Sequence, residues 1–215
     1  MEYPISNRMS TIKGSAIREI FKYAADPEVI SLAGGNPAPE LFPNEALAGI
    51  AKEMLEKQPV LSLQYGITEG YMPLRDAIKE RMAKTENIGR EFDDLIVVSG
   101  GQQGIELCAK CLVNEGDTVI VEQPSFIGAT NAFRSYGAHL VGVPVKDDGM
   151  DLDALESALA ENKNVKLIYV IPTFQNPMGV TMSVETRQRP YEIAKKNAVL
   201  ILEDNTYGEL NYNDE

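Results

Sequence analysis

Four short polar segments, each directly after an apolar run, contain the residues whose types could do chemistry. The first is Ser99–Gly104 (SGGQQG), which follows the run Leu95–Val98. Its glycines let the backbone approach an anion closely, and the free N–H groups that begin the next helix favour a phosphate. The segment lacks both the G-x-G-x-x-G spacing of a dinucleotide site and the Gly-Lys-Ser/Thr of a P-loop. It is therefore either a phosphate-binding turn or a tight strand-to-helix turn.

The other three segments offer an aromatic ring, an amide and a carboxylate. Phe126, after the second apolar run, could stack on a planar ring or belong to the core. Asn176 follows the run Leu167–Ile171 and offers both a donor and an acceptor. Asp204 follows the run Val199–Leu202 and either caps a loop or pairs with a buried cation. Because open α/β sheets bind ligands beyond the carboxyl ends of their strands, the four segments together predict one site.

Other reactive residue types fit structural roles better. Cys108 and Cys111 form a C-x-x-C, but the pair lies inside a predicted helix rather than at its start, where a thiolate would be stabilised. His139, the only histidine, has no cysteine or carboxylate partner at ligand spacing. We therefore predict packing roles for the two cysteines, a core or surface position for His139, and no metal site.

The composition excludes several classes of protein. The 215 residues carry 20 Lys and Arg against 32 Asp and Glu, a net charge of −12. That balance argues against binding to nucleic acid or to an anionic membrane. No apolar run approaches the roughly 20 residues that span a bilayer, and residues 1–8 show no secretory signal. We predict a cytoplasmic protein with reduced thiols and with neither nucleic-acid nor membrane partners.

From residue 95 onward, short apolar runs alternate with amphipathic helix patterns. This alternation predicts an α/β fold, a mostly parallel sheet covered by helices on both faces. The predicted strands are Leu95–Val98, Thr118–Val121, His139–Val143, Leu167–Ile171 and Val199–Leu202. The predicted helices are Gln102–Val113, Ile127–Tyr136, Asp151–Glu161 and Val184–Asn197. Pro190 falls inside the last helix and should kink or interrupt it.

Residues 1–94 are predicted to form a mostly helical N-terminal lead-in. Helices are expected over Ser15–Ala25, after Pro43 with Asn44 as N-cap, and over Pro73–Lys84. A 3.6-residue period predicts that one apolar face of the second helix points inward, formed by Leu47, Ile50, Ala51, Met54 and Leu55.

Five stretches along the whole chain together resemble one enzyme family. They are Ser31–Pro43 (SLAGGNPAPELFP), Gln64–Arg75 (QYGITEGYMPLR), Val98–Gly104 (VSGGQQG), Tyr169–Gly179 (YVIPTFQNPMG) and Leu202–Leu210 (LEDNTYGEL). The chain resembles the N-terminal portion of a fold-type I, pyridoxal-phosphate-dependent aminotransferase of class I/II, in the 2-aminoadipate/kynurenine aminotransferase-like branch. The resemblance implies a type I large domain, incomplete here, and transamination between an amino acid and a 2-oxo acid.

The resemblance also assigns domains, a cofactor and site residues. Residues 1–45 would be an N-terminal segment near the substrate, and 46–215 a partial large domain that binds pyridoxal 5′-phosphate (PLP), in a homodimer. The implied cofactor contacts are Gly101 and Gln102 to the phosphate, Phe126 to the ring face, Asn176 and Tyr207 to the 3-oxygen, Asp204 to the ring nitrogen, and Tyr65 to the phosphate of the neighbouring subunit. Two further residues would lie near the substrate, Gly35 and Arg18.

The same resemblance predicts what the 215 residues lack. The lysine that forms the Schiff base is expected beyond Glu215, because Lys195 and Lys196 lie on the helix before the last strand. The arginine that grips the substrate carboxylate and two sheet strands are also expected to be missing, which would leave a gap and exposed edges in the sheet. We therefore expect no catalytic residue in this chain and no turnover from it alone. We also expect the chain to be aggregation-prone, and partly unfolded or oligomeric.

Two alternatives to a transaminase remain open. The same fold hosts other PLP chemistry, such as a β-lyase reaction. The chain could also be a non-catalytic fragment that binds only a ligand or a partner. An aminotransferase-like regulator is disfavoured, because such proteins carry a basic DNA-binding segment before the core and the motifs here begin almost at Met1.

Overall fold

The computed structural model describes residues 3–10, 12, 28–30, 35 and 37–210. The chain forms two compact units. The sheet unit comprises Met1–Ser15 and Ser99–Glu215, and the helical unit comprises Ala16–Val98. The predicted helix Ser15–Ala25 lies outside the described residues. The division into residues 1–45 and 46–215, which the resemblance implied, is not tested by these units and stays a prediction.

The sheet unit contains a five-stranded sheet of order β3-β2-β1-β4-β5. Its strands are β1 Thr118–Gln123, β2 His139–Lys146, β3 Gly149–Met150, β4 Val165–Val170 and β5 Leu200–Glu203. The pairs β1–β2, β1–β4 and β4–β5 are parallel, and only β3 runs antiparallel, against β2. The mostly parallel α/β sheet is thereby confirmed. The described strands are contiguous, and Leu95–Val98, next to which the gap was expected, is not one of them.

Helices precede and connect these strands. Within the described residues they are α1 Asn7–Ser10, α2 Asn44–Lys57, α3 Pro59–Leu63, α4 Met72–Thr85, α5 Gly101–Leu112, α6 Ile127–Ser135, α7 Leu152–Glu161 and α8 Val184–Asn197. A single 3₁₀ turn spans Pro39–Leu41. The four helices predicted after residue 95 are present, with ends within one residue of the predicted ones.

Alternating side chains of the central strands divide the core into two layers. Val119 and Val121 of β1 pack on one face with Phe133 of α6, whereas Ile120 packs on the other face with Leu155 of α7. Each of these side chains is buried, and burying one contributes about 1.5–3 kcal/mol. The continuous apolar run in β1 is therefore required because helices cover both faces of the sheet.

Helix α8 corrects the expectation for Pro190. The helix runs without interruption through Pro190, which is buried. The Ser183 side chain caps its first turn by accepting from the Thr186 N–H at 3.1 Å. Burial of Ile193 and Ala194 anchors the second half against the sheet. This packing offsets the one backbone hydrogen bond that a proline removes, so the expected interruption is wrong.

The helical unit differs from two of its sequence-based expectations. Leu95–Val98 forms no strand; Val97 donates one backbone hydrogen bond to Glu69 at 2.9 Å. The described part of the helical unit contains no strand to pair with it, and a strand needs a partner. Helix α2 begins at Asn44 with Pro43, not Asn44, as N-cap. The face of α2 that was predicted to point inward is exposed, at Leu47, Ile50, Ala51, Met54 and Leu55. A 3.6-residue period identifies the apolar face of a helix but does not show what covers it.

Candidate active site

A cavity of about 150 Å³ lies at the carboxyl ends of β1, β4 and β5. Parallel pairing brings these ends side by side, with Val121 next to Tyr169 and Tyr169 next to Leu202. The lining residues are Gly101, Gln102, Ile105, Phe126, Ile171, Asn176, Asp204, Thr206 and Tyr207. Six predicted site residues therefore meet in one cavity: Gly101, Gln102, Phe126, Asn176, Asp204 and Tyr207.

One end of the cavity is the N-terminus of α5. Gly100 has a φ of +80°, a left-handed conformation that glycine adopts without strain. A Cβ placed on Gly101 would meet no atom within 4 Å, so space remains beside the first turn. The first four N–H groups of a helix lack partners within the helix and carry its positive dipole end. This end of the cavity can therefore hold an anion.

An aromatic side chain lies next to that turn. Phe126 is half-buried, precedes α6 and packs against the core on the α5 and α6 side of the sheet. A Cβ on Gly128 would collide with both the Phe126 ring and the Gln102 side chain. Gln102 Nε2 also donates to the Gly128 carbonyl at 3.1 Å. Gly128 therefore lets the aromatic ring and the polar turn approach each other.

The Asp204 carboxylate also lines the cavity, and two hydroxyl groups hold it. Tyr169 Oη donates to Asp204 Oδ2 at 2.7 Å, and Thr206 Oγ1 donates to Oδ1 at 2.7 Å. The Asp204 backbone N–H donates to Val170 at 2.9 Å and fixes the start of the loop. Burial, and then the hydrogen bond to Asp204, raise the pKa of Tyr169 above its usual value, so the hydroxyl stays a donor.

Asn176 lies in a turn that a buried network fixes. The neighbouring Gln175 donates through Nε2 to Glu122 Oε2 at 3.1 Å and to the Pro124 carbonyl at 2.9 Å. Gln175 Oε1 accepts from the Met178 N–H at 2.8 Å. Glu122 is 1% exposed, and burial raises its pKa to about 7. This network ties the Asn176 turn to the end of β1.

Sequence reasoning missed the residues that support the cavity. Tyr169 was part of an apolar run and gave no signal beyond that of a core residue. Glu122 offered one signal, a charged residue at the end of a buried strand. Gln175 and Thr206 gave none, because their roles depend on partners brought close only by the fold.

Three predicted site residues do not line the cavity. Tyr65 is 99% exposed and, like Gly35, belongs to the helical unit. Arg18 lies outside the described residues. Their roles toward the partner subunit or the substrate stay predictions.

The residues set aside in the sequence have unremarkable surroundings. Cys108 is partly buried in α5, burial raises the pKa of its thiol, and Cys111 is exposed. His139 is exposed at the start of β2. Among residues 3–10, 12, 28–30, 35 and 37–210, no three His, Cys, Asp or Glu side chains are grouped as a metal site. None of the helices in that part of the chain is long and apolar enough to cross a membrane.

Comparison with known proteins identifies the family. Residues 27–215 match the family described as aminotransferase class I and II, and the chain belongs to it. It is 44% identical over 214 residues to aromatic-amino-acid aminotransferase 1 of Thermococcus litoralis, covering 98% of this chain and 51% of that protein. It is 39% identical to the 2-aminoadipate transaminase of Thermus thermophilus, covering 93% and 48%. The chain spans about half the length of the curated relatives it matches.

Solved structures agree on the fold. The chain matches the kynurenine aminotransferase of Pyrococcus horikoshii, a complex with PMP, with a TM-score of 0.90 and 36% identity, over 99% of this chain and 53% of that one. It matches an α-aminoadipate aminotransferase of Thermus thermophilus bound to N-(5′-phosphopyridoxyl)-L-leucine, with a TM-score of 0.86 and 35% identity, over 98% and 51%. The fold is that of the type I PLP-dependent transferases, and the cofactor of the family is pyridoxal 5′-phosphate.

Proposed function

We propose that this chain holds the PLP of an aminotransferase that moves an amino group between an amino acid and a 2-oxo acid. The observation that carries the proposal is the set of groups that share one cavity. A helix N-terminus, the Asp204 carboxylate and the Phe126 ring all line it. These groups fit the three chemical parts of the cofactor, which are a phosphate, a cationic ring nitrogen and a flat aromatic ring.

Each lining residue then has a defined task. The backbone at Gly101 and Gln102 binds the phosphate, because unpaired N–H groups and the helix dipole favour an anion. Phe126 packs on the ring, and Asn176 and Tyr207 hydrogen-bond its 3-oxygen. Asp204 holds the proton of the ring nitrogen. When bound, the cofactor supplies an electron sink for bond cleavage at the substrate α-carbon.

The remaining parts of the proposal concern the surroundings of the site. We propose a cytoplasmic homodimer in which Tyr65 reaches the phosphate of the partner subunit. Its exposed ring leaves it accessible for that contact. No lysine lines the cavity among the residues that the structure describes, so we expect no transaminase turnover from these 215 residues alone.

Titration of the purified chain with PLP, followed by absorbance and calorimetry, tests this function. Replacing Asp204 by Asn removes the charge and keeps one oxygen, which can accept from either Tyr169 or Thr206. A hydrogen bond to a charged group contributes about 1.5–3 kcal/mol, so we expect PLP affinity to fall at least about tenfold. Asp147→Asn, at an exposed turn, is the matched control and should leave the affinity unchanged. Equal affinities for wild type and Asp204→Asn would contradict the assignment.

Borohydride reduction of the same mixture, with mass spectrometry of the adducts, tests the expected lack of a Schiff-base lysine. We expect low labelling scattered over several lysines. Full-yield labelling of a single lysine would overturn that expectation and identify a catalytic residue within the chain.

A further inference from the structure

Two hydroxyl groups hold the Asp204 carboxylate, which lines the cavity. Each of its oxygens accepts one hydroxyl hydrogen bond, from Tyr169 and from Thr206. An ionised carboxylate has about four lone-pair sites, so two remain after these bonds. The carboxylate is therefore fixed at both oxygens and can still accept a hydrogen bond from a donor in the cavity.

The two hydroxyl donors differ in their access to a ligand. Thr206 is exposed and lines the cavity. Tyr169 is completely buried in β4, and its ring packs edge-on against Phe133 with centroids 5.7 Å apart. Tyr169 is not among the lining residues. Its hydroxyl therefore acts on a bound molecule through Asp204.

The Tyr169 hydroxyl is not needed to join β4 to β5. The two strands already pair in register from Leu167 with Leu200 to Val170 with Glu203. The backbone N–H of Asp204 extends this pairing to the Val170 carbonyl. The ring of Tyr169 supplies the core packing, and its hydroxyl adds one contact, which is directed at the carboxylate in the cavity.

We infer that Tyr169, together with Thr206, is a positioning residue that orients the Asp204 carboxylate toward the protonated nitrogen of a bound aromatic heterocycle. This inference rests on the proposed function, since it names what holds the group that recognises the ring nitrogen. Without the Tyr169 hydroxyl, one carboxylate oxygen loses its partner and the group gains rotational freedom. Binding then has to restrict that freedom.

Two ligands separate positioning from general structural support. One is PLP, and the other is the analogue in which a C–H group replaces the ring nitrogen. The analogue keeps the phosphate, the aromatic ring and the 3-oxygen but offers nothing to Asp204. Dissociation constants are measured for wild type and for Tyr169→Phe, which keeps the buried ring. Tyr191→Phe, which removes an exposed hydroxyl on α8, is the matched control.

We expect wild type to bind PLP more tightly than the analogue. Tyr169→Phe should weaken PLP binding about three- to tenfold, the size expected when binding has to order one additional side chain. Its affinity for the analogue should stay within about twofold of wild type, because that ligand does not use the carboxylate. Tyr191→Phe should change neither affinity.

Thr206 supplies a second variant at an exposed position. Thr206→Val should also lower PLP affinity selectively, and Thr206→Ser, which keeps the hydroxyl, should restore it. This pair of variants decides the matter if Tyr169→Phe fails to fold.

The outcomes distinguish the inference from the proposed function. If Tyr169→Phe weakens the binding of PLP and of the analogue equally, its role is structural and the inference alone is overturned. Where Tyr169→Phe does not fold, the same result with Thr206→Val has the same meaning. A wild type that does not bind PLP, or that binds the analogue as tightly, would overturn both. Selective loss of PLP affinity supports both.

Discussion

The buried carboxyl group of Glu122 should make the stability of this chain fall as pH rises. The side chain is 1% exposed at the end of β1. Its Oε2 accepts from the Ile171 N–H and from Gln175 Nε2, each at 3.1 Å, whereas Oε1 has no hydrogen-bond partner. Burial raises its pKa from 4.5 to about 7, and the two hydrogen bonds offset only part of that effect. The tested change is Glu122→Gln, which keeps a carbonyl oxygen for both donors.

The pKa difference sets the size and sign of the effect. From 4.5 to about 7 is about 2.5 pH units, and at about 1.4 kcal/mol per unit this is roughly 3 kcal/mol. Below pH 4.5 the carboxyl is neutral in both the folded and the unfolded chain. Above that pH the unfolded chain loses the proton first, so the stabilisation decreases and is lost as pH rises through about 7.

Urea unfolding at pH values from 4.5 to 8 measures the effect. The difference in free energy of unfolding between Glu122→Gln and wild type should shift by about 3 kcal/mol in favour of the variant across that range. Glu156→Gln, at an exposed position on α7, is the control and should follow the wild-type curve. Parallel curves for wild type and Glu122→Gln would refute the reasoning. A carboxyl ¹³C NMR titration of Glu122 reads the same pKa directly in the folded chain.

Three further substitutions test the packing, a helix cap and the cavity wall. Phe133→Ala removes a fully buried ring and should lower the free energy of unfolding by about 3–5 kcal/mol in urea. Asp151→Ala removes the side chain that accepts from the first turn of α7 and should lower the thermal midpoint, with a loss of about 1 kcal/mol. Gly128→Ala forces a methyl group against Phe126 and Gln102 and should weaken PLP binding in a calorimetric titration.

Each of these substitutions has a matched control elsewhere in the chain. Phe92→Ala removes an exposed ring, and Asp147→Ala removes an exposed acid outside the helix cap. Gly49→Ala adds a methyl group within α2, where no atom lies within 4 Å. We expect each control substitution to change the stability or the PLP affinity by less than half as much as the substitution that it matches. A control substitution with an effect as large as that of the substitution it matches would contradict the corresponding explanation.

The sheet and the cavity could be predicted because local pattern decides them. Val119, Ile120 and Val121 form a continuous apolar run, which indicates a strand buried on both faces, and they occupy β1. The polar residues directly after such runs lie at the carboxyl end of the sheet. Asn176 and Asp204 line the cavity for that reason.

Features that depend on distant partners could not be predicted in the same way. The burial of Glu122 depends on Gln175, which lies 53 positions away. Leu95–Val98 has the composition of a strand but lacks a described neighbour to pair with. The apolar face of α2 was identified from its period, yet Leu47 and Ile50 are exposed. Sequence pattern specifies which surfaces are apolar, whereas the layer that covers them must come from elsewhere.

Alternation along β5 explains which of two neighbouring acids belongs to the cavity. Ile201 packs in the core on the α7 and α8 side of the sheet, whereas Leu202 packs on the side of α5 and α6. With a period of two residues, Glu203 points to the same side as Ile201, and Asp204 to the same side as Leu202 and Phe126. Asp204 and the N-terminus of α5 consequently line one cavity. A shift of one residue in the register of β5 would place Glu203 there instead.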